Sequence, residues 1–191
     1  MNLLLKSLIL ALLAAATFLS QIALAGLPNV ELVTLFLIVI GLNFTLKDGI
    51  LVVLVFTLLE GLVYGFADWV IGYLWIWSVL ILLIKVTAPL HQRKGSRVAL
   101  LGGLFGLGFG GLFALQYGLW YGFNYGIAYW ISGLGFDLIH GFANYTLILL
   151  LFQPMNGLLS TLIRKAENRY GHRHHQNGGS RNDSPEEPKT V

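Results

Sequence analysis

Residues 98–121 read VALLGGLFGLGFGGLFALQYGLWY, a stretch of 24 positions without a charged side chain. A helix needs about 20 mostly apolar residues to cross the hydrocarbon core of a bilayer. The apolar residues follow one another directly here, whereas a membrane β-strand alternates apolar and polar positions. The stretch therefore predicts a transmembrane helix.

Five further apolar stretches flank this one, over about residues 3–25, 30–46, 49–67, 70–88 and 132–152. The second is short for a span, and the last could continue as a helix past Pro154 toward Lys165. Together they predict an all-α membrane protein, a six-transmembrane-helix bundle formed by residues 1–165. Residues 166–191, whose last part is rich in Gly, Ser, Asn, Pro, Glu and Arg, are expected to be a disordered cytoplasmic tail because they cannot bury an apolar face.

The composition agrees with a membrane protein. The 191 residues are 56% hydrophobic and only 11% charged, whereas soluble domains carry about 25% charged residues. The net charge of +3 does not indicate nucleic-acid binding, because the basic residues fall in links and flanks of the apolar stretches, where they report topology. The absence of Cys excludes disulfides and thiolate metal sites.

The basic residues predict the orientation of the bundle, since six helices put them all on one side. They are Lys6, Lys47, Lys85, Arg93, Lys94, Arg97, Arg164, Lys165, Arg169, Arg173, Arg181 and Lys189. The positive-inside rule makes that side, and both termini, cytoplasmic. The opposite links near residues 26–29, 68–69 and 124–131 contain no Lys or Arg.

The first stretch has an alternative interpretation. Lys6, an apolar run and the small residues up to Ala25 are also typical of a secretory signal peptide with its cleavage site. Cleavage there would remove the first helix and leave five spans.

Polar residues inside a span are costly and usually face a protein interior or a cavity. In this chain they concentrate, with most Trp and Tyr, in the outer half of the predicted bundle. Glu60, Tyr64 and Asp68 are spaced i, i+4, i+8, which predicts that they share one helix face.

Asp137, His140 and Asn144 are spaced i, i+3, i+7 in the last span, and this spacing again predicts a shared helix face. An aromatic-lined pocket open to the outside explains the asymmetry, because an interfacial belt of Trp and Tyr would occupy both faces of the membrane. The predicted substrate-binding residues are Glu31, Glu60, Tyr64, Tyr73, Trp77, Gln116, Trp120, Asn124, Asp137, His140 and Asn144.

Several of these residues have a structural interpretation as well. The carboxyl of Glu60 and the ring of His140 could be hydrogen-bonded by neighbouring helices. Asp137 and Glu31 could cap the starts of their helices, and Asp68 could be solvated at the interface.

Small residues predict close helix contacts. Ala11 and Ala15 form a small-xxx-small pair in the first stretch, and Gly102, Gly106 and Gly110 form two overlapping GxxxG pairs in the fifth. No strand precedes these glycines and no Lys-Ser or Lys-Thr follows them, which excludes a phosphate-binding loop.

The sequence contains no Walker motif for an ATPase. Only His140 lies inside a span, so two axial haem ligands at matching depth are not available, and Ser132 is badly spaced for a dyad with His140. We expect no metal site and no cofactor, and the run of histidines at 172, 174 and 175 is expected to be solvated. We therefore expect that this protein is not an enzyme.

Four segments resemble parts of a known family. They are residues 11–20, ALLAAATFLS, residues 27–34, LPNVELVT, residues 59–66, LEGLVYGF, and residues 73–77, YLWIW. Over about residues 1–165, the chain resembles the substrate-binding S components of energy-coupling factor (ECF) vitamin transporters, which are prokaryotic cell-membrane proteins.

The resemblance implies a transport role. An S component binds its substrate near the outside and docks, through small residues of its first helix, on a transmembrane coupling protein driven by two cytosolic ATPases. Here Ala11 and Ala15 would dock. The aromatic residues suggest a flat heterocyclic substrate. The alternative is an intramembrane enzyme or haem protein that uses His140 with Glu60 or Asp137.

Overall fold

A computed structural model describes residues 3–91 and 94–179, with side chains up to Asn168 except that of His91. Its elements are α1 (Leu3–Leu24), α2 (Val33–Asn43), α3 (Leu46–Tyr64), α4 (Asp68–His91), α5 (Gly95–Tyr121) and α6 (Phe123–Gly179). Helices α1, α4, α5 and the first part of α6 are long and apolar enough to cross a membrane. The predicted all-α class is confirmed for the described residues, and the long apolar helices are consistent with a membrane protein.

Helix α2 lies at the centre of the bundle and contacts all five other helices. Eight of its eleven residues are buried, as expected for a helix that is apolar on every side. At about 1.5 Å per residue, α2 covers about half of a hydrocarbon core about 30 Å thick. The predicted span of residues 30–46 is therefore too long, because the capping box between Thr45 and Asp48 begins α3.

Helices α5 and α6 form the most extensive contact of the bundle, and glycines let their backbones approach. A Cβ atom on Gly106 would lie 3.0 Å from the backbone of Gly141, and one on Gly103 would lie 3.2 Å from the Gly141 carbonyl oxygen. The close packing predicted from the GxxxG pairs is confirmed.

The predicted link over residues 124–131 is wrong. Gly122 alone separates α5 from α6, and its φ of 99° is a conformation that glycine adopts without strain. Residues 124–131 thus extend the helix, and Gly122 supplies the whole reversal of the chain.

At its other end α6 continues through Pro154 to Gly179. Residues 166–179 of the expected disordered tail are therefore helical, with Gly171 inside the helix. Residues 180–191, with Arg181 and Lys189, lie outside the described residues, as does Arg93.

Helix α3 ends at Tyr64, and Gly65 with a φ of 86° separates it from α4, which begins at Asp68. The expected shared face of Glu60, Tyr64 and Asp68 is wrong, because the three do not lie on one continuous helix. Glu60 is buried, whereas Tyr64 and Asp68 are exposed.

Contacts gather basic residues at one end of the bundle. The Lys6 ammonium lies 2.8 Å from the Asp48 carboxylate, Lys85 donates to the Phe44 carbonyl, and Arg97 donates to the Leu90 carbonyl at 2.8 Å. We call this the basic end.

The aromatic end lies opposite and holds a chain of ring contacts. Tyr73 packs on Phe109 and Phe113, and Tyr117 packs on Phe113 and Tyr129. The two ends of the bundle therefore differ in chemistry as the sequence predicts.

Candidate functional site

A buried polar network joins the start of α2 to the middle of α6. Glu31 Oε1 lies 3.1 Å from His140 Nε2 and accepts a hydrogen bond from the Thr34 hydroxyl at 2.5 Å. Asn144 Nδ2 donates to the same hydroxyl at 3.0 Å. None of the four side chains belongs to a residue more than 8% exposed, so this network fixes α6 against α2.

Glu31 lies in the link before α2 and also accepts from the Thr34 backbone N–H at 2.8 Å. It thereby stabilises the helix start, as the capping interpretation of this residue proposes. The Glu31 carboxyl thus contacts both the start of α2 and His140 of α6.

A cavity of about 140 Å³ lies beside this network. It is lined by the link between α1 and α2, including Pro28 and Asn29, and by the aromatic residues Tyr73, Trp77 and Phe109. Glu31 and His140 line it too. The ring of His140 packs edge-on against Phe109, with 4.9 Å between ring centroids.

A second cavity, of about 490 Å³, lies next to the first and shares Asn29, Tyr73 and Phe109 with it. Its other lining residues are Trp69, Gly110, Phe113, Tyr117, Tyr129, Ser132, Gly133, Phe136 and Asp137. Seven of the twelve lining residues are aromatic. A cavity of this size, apolar with a few polar groups, suits a small organic ligand.

Asp137 reaches the larger cavity because Gly110 has no side chain. Its Oδ1 accepts the Gly110 backbone N–H at 2.9 Å, and a Cβ atom on Gly110 would lie 2.6 Å from both carboxyl oxygens. This glycine therefore serves the site as well as the helix contact. The capping interpretation of Asp137 does not hold, since α6 begins fourteen residues earlier.

Several buried polar atoms lack a hydrogen-bond partner among the described residues. They are Thr57 Oγ1, Glu60 Oε1, Trp77 Nε1, Asp137 Oδ2 and His140 Nδ1. Three of the five belong to residues that line one of the two cavities. Since buried polar groups are nearly always hydrogen-bonded in folded proteins, such atoms need an explanation, and a bound ligand is one.

The predicted site residues therefore differ in their relation to the two cavities. Glu31, Tyr73, Trp77, Asp137 and His140 line the two cavities. Asn144 supports them through the polar network. Glu60 is 3% exposed but is not among the lining residues of either cavity.

The remaining predicted residues lie away from the cavities. Gln116 joins α4 to α5, accepting from Trp75 Nε1 at 2.6 Å and donating to the Asp68 carbonyl at 3.0 Å. Trp120 shares a separate shallow pocket with Gln116. Tyr64 and Asn124 are exposed, and neither is among the lining residues of the two cavities.

The sequence reasoning missed the residues that join the two cavities. Asn29, with a φ of 58°, lines both, and so does Phe109. Asn tolerates this left-handed conformation better than most residues. Its place between a Pro and an apolar helix was the available signal, whereas Phe109 resembled any other apolar residue of α5.

Ala11 and Ala15 lie on the outer surface of α1, which packs chiefly against α2 and α3. Ala11 is exposed and Ala15 is half-buried, while Ala14 is buried. The exposed face includes the large apolar residues Leu4 and Leu8.

Among the described residues, no cluster of three or more His, Asp or Glu side chains is placed to hold a metal ion.

Comparison with known protein families, with curated proteins and with solved structures finds no match to this chain.

Proposed function

We propose that this chain is the substrate-specific S component of an ECF-type importer in a prokaryotic cell membrane. It binds a small, flat heterocyclic compound from outside and delivers it through a coupling protein and two ATPases. The observation that supports this most is the pair of aromatic-lined cavities at the end of the bundle opposite the basic residues, with unpaired polar atoms at their walls. By the positive-inside rule, that end faces outside.

The course of the chain supports six crossings with both termini inside. Lys6 near the start of α1 contacts Asp48 at the start of α3, while Gln21 near the end of α1 lines the smaller cavity. Helix α2 and its flanking residues must therefore return from the aromatic end to the basic end. The same contacts favour an α1 that is retained, since cleavage after Ala25 would remove part of a cavity wall.

The geometry favours binding over catalysis. Ser132 lines the larger cavity and donates to the Tyr129 carbonyl at 2.8 Å, whereas His140 lines the smaller cavity and pairs with Glu31. The two groups of a serine–histidine dyad share a hydrogen bond, whereas Ser132 and His140 each contact a different residue.

The docking part of the proposal is tested by Ala11→Trp and Ala15→Trp. A Trp on this face blocks the close approach of another helix, so we expect uptake by cells that express the chain with its coupling module to be lost. Ligand binding by the purified variants should be unchanged.

The matched control is Leu150→Trp, which adds the same side chain at a position of α6 that is 66% exposed. This control should transport normally. Normal uptake by both alanine variants would contradict docking through α1, and a purified chain that retains stoichiometric haem would contradict the transport proposal as a whole. Mass spectrometry of small molecules that co-purify with the native chain would identify the substrate.

A further inference from the structure

The larger cavity contains one carboxyl group, and half of that group is unpaired. Asp137 is 6% exposed; its Oδ1 accepts the Gly110 N–H, and its Oδ2 has no partner among the described residues. An acceptor buried without a donor costs about 1–3 kcal/mol. The site is therefore built to receive a hydrogen-bond donor at Oδ2.

The surroundings of Asp137 restrict the charge of that donor. Neither cavity has a Lys or Arg among its lining residues, and the ionisable groups there besides the tyrosines are Asp137, Glu31 and His140. Glu31 and His140 already pair with each other. An anionic ligand in the larger cavity would find no Lys, Arg or His among the lining residues and would lie next to the Asp137 carboxyl, which is unfavourable in a medium of low dielectric constant.

The rings of the larger cavity favour a cation further. Trp69, Tyr73 and Phe113 are in contact with one another through Tyr73, with centroid distances of 5.1 and 6.1 Å. Tyr117 and Tyr129 face the same space, and their centroids are 4.8 Å apart. The faces of such rings attract positively charged nitrogen and stack on flat molecules.

We infer that the larger cavity binds a flat aromatic molecule that carries a positively charged nitrogen, which donates its N–H to Asp137 Oδ2. An amidine, a protonated aminoheterocycle or an aromatic ammonium fits this chemistry. The inference rests on the proposed function insofar as this ligand is the transported substrate, and it narrows the substrate class from flat heterocycles to cationic ones.

The test uses three probes of the same size and ring but different charge: benzamidinium (+1), benzamide (0) and benzoate (−1). Titration calorimetry at pH 7 on the purified full chain in detergent should give the tightest binding for benzamidinium, about tenfold tighter than for benzamide, because a charged donor to a carboxylate and a cation over a ring are both lost with the neutral probe. Benzoate should bind weakest.

The variant Asp137→Asn removes the charge and keeps the shape. It should lower benzamidinium affinity about tenfold and change benzamide affinity little, so benzamide binding reports that the variant is folded. Asp137→Ser serves if the first variant does not fold. The matched control is Asp68→Asn, an exposed carboxyl that accepts a hydrogen bond from Tyr121 and lines neither cavity; it should leave all three affinities unchanged.

Three results would overturn the inference: no binding of any probe, benzamide or benzoate binding as tightly as benzamidinium, or an unchanged preference for benzamidinium in both Asp137 variants. The assay needs no coupling protein, so its outcome is independent of the uptake test. If benzamidinium binds but the cells show no uptake, the proposed transport function is refuted and the cation site stands. If the cells show uptake but the purified chain does not prefer benzamidinium, the cation site is refuted and the transport function stands.

Discussion

The two ends of the bundle treat their polar side chains differently. At the basic end Lys6 and Asp48 satisfy each other, and Asp48 also completes the cap of α3. At the aromatic end Trp77, Asp137 and His140 each keep one polar atom without a partner among the described residues. Burying an unpaired polar group costs stability, and the three residues line the cavities, so their unpaired atoms fit the ligand-binding role proposed for this end.

The largest effect should come from the contact that holds the aromatic end together. Gly106→Val places a branched side chain within about 3 Å of the Gly141 backbone, an overpacking that neither helix can relieve by a change of side-chain rotamer. We expect a loss of about 3 kcal/mol or more in the free energy of unfolding, measured by thermal unfolding in detergent.

The control for this variant is Gly108→Val, two residues away in the same helix, where an added Cβ atom meets nothing within 4 Å. It shares the change in helix propensity without the clash. Equal stability of the two variants would show that the close approach of α5 and α6 does not contribute to the stability of the fold.

A smaller effect is expected at the basic end. Asp48→Ala removes the Lys6 ion pair and the hydrogen bonds that the Asp48 carboxylate accepts from Thr45 in the α3 capping box. The chain should therefore lose about 2 kcal/mol of stability. Benzamidinium binding by the folded fraction should be unchanged, because Asp48 lies at the end remote from the cavities.

Lys47→Ala is the matched control, since Lys47 is exposed and lies in the same helical turn. Surface substitutions of this kind usually change stability by less than about 0.5 kcal/mol. A loss of binding in Asp48→Ala at a temperature where the protein is folded would contradict the separation of the two ends.

The smallest expected effect is the difference in stability between variants of two buried carboxyl groups at the aromatic end. Glu31→Gln loses a charge-assisted contact with His140 and should destabilise the chain by about 1.5 kcal/mol. Glu60→Gln alters a group with an oxygen that has no partner among the described residues, and it should be neutral or slightly stabilising. Thermal unfolding of both variants measures the difference.

This pair of variants tests whether a buried carboxyl group stabilises the fold because it has a hydrogen-bond partner or merely because it is buried at the aromatic end. If Glu60→Gln costs as much stability as Glu31→Gln, an unpaired oxygen in this bundle is not a sign of a ligand.

Most of the fold could be predicted from the sequence, because hydropathy and length decide which segments become long apolar helices. The limits of α2 and α6 could not. A single glycine at position 122 reverses the chain, so residues 124–131 extend a helix although their polar and aromatic residues resemble a link. Helix α2 ends early because Thr45 and Asp48 begin the next helix, a local hydrogen-bond pattern that hydropathy does not register.

The cavity-lining residues could be predicted where a polar residue interrupts an apolar helix, as Asp137 and His140 do, or where aromatic residues cluster toward one end, as Tyr73 and Trp77 do. Gln116 gives the same signal, yet its hydrogen bonds to Trp75 and to the backbone at Asp68 make it structural. The partner that decides between these roles comes from another helix, and helical spacing within one segment carries no information about it.

The one-residue link at Gly122 has a consequence for the energetics of binding. Two long helices joined by a single residue and packed along their glycines form a stiff hairpin, and this hairpin carries Phe109, Gly110 and Asp137. The conformational entropy of this part of the cavity wall is lost when the chain folds, so a ligand would bind to a pre-organised surface. Affinity can then follow the charge and shape of the ligand closely, since little of it is consumed in ordering the protein.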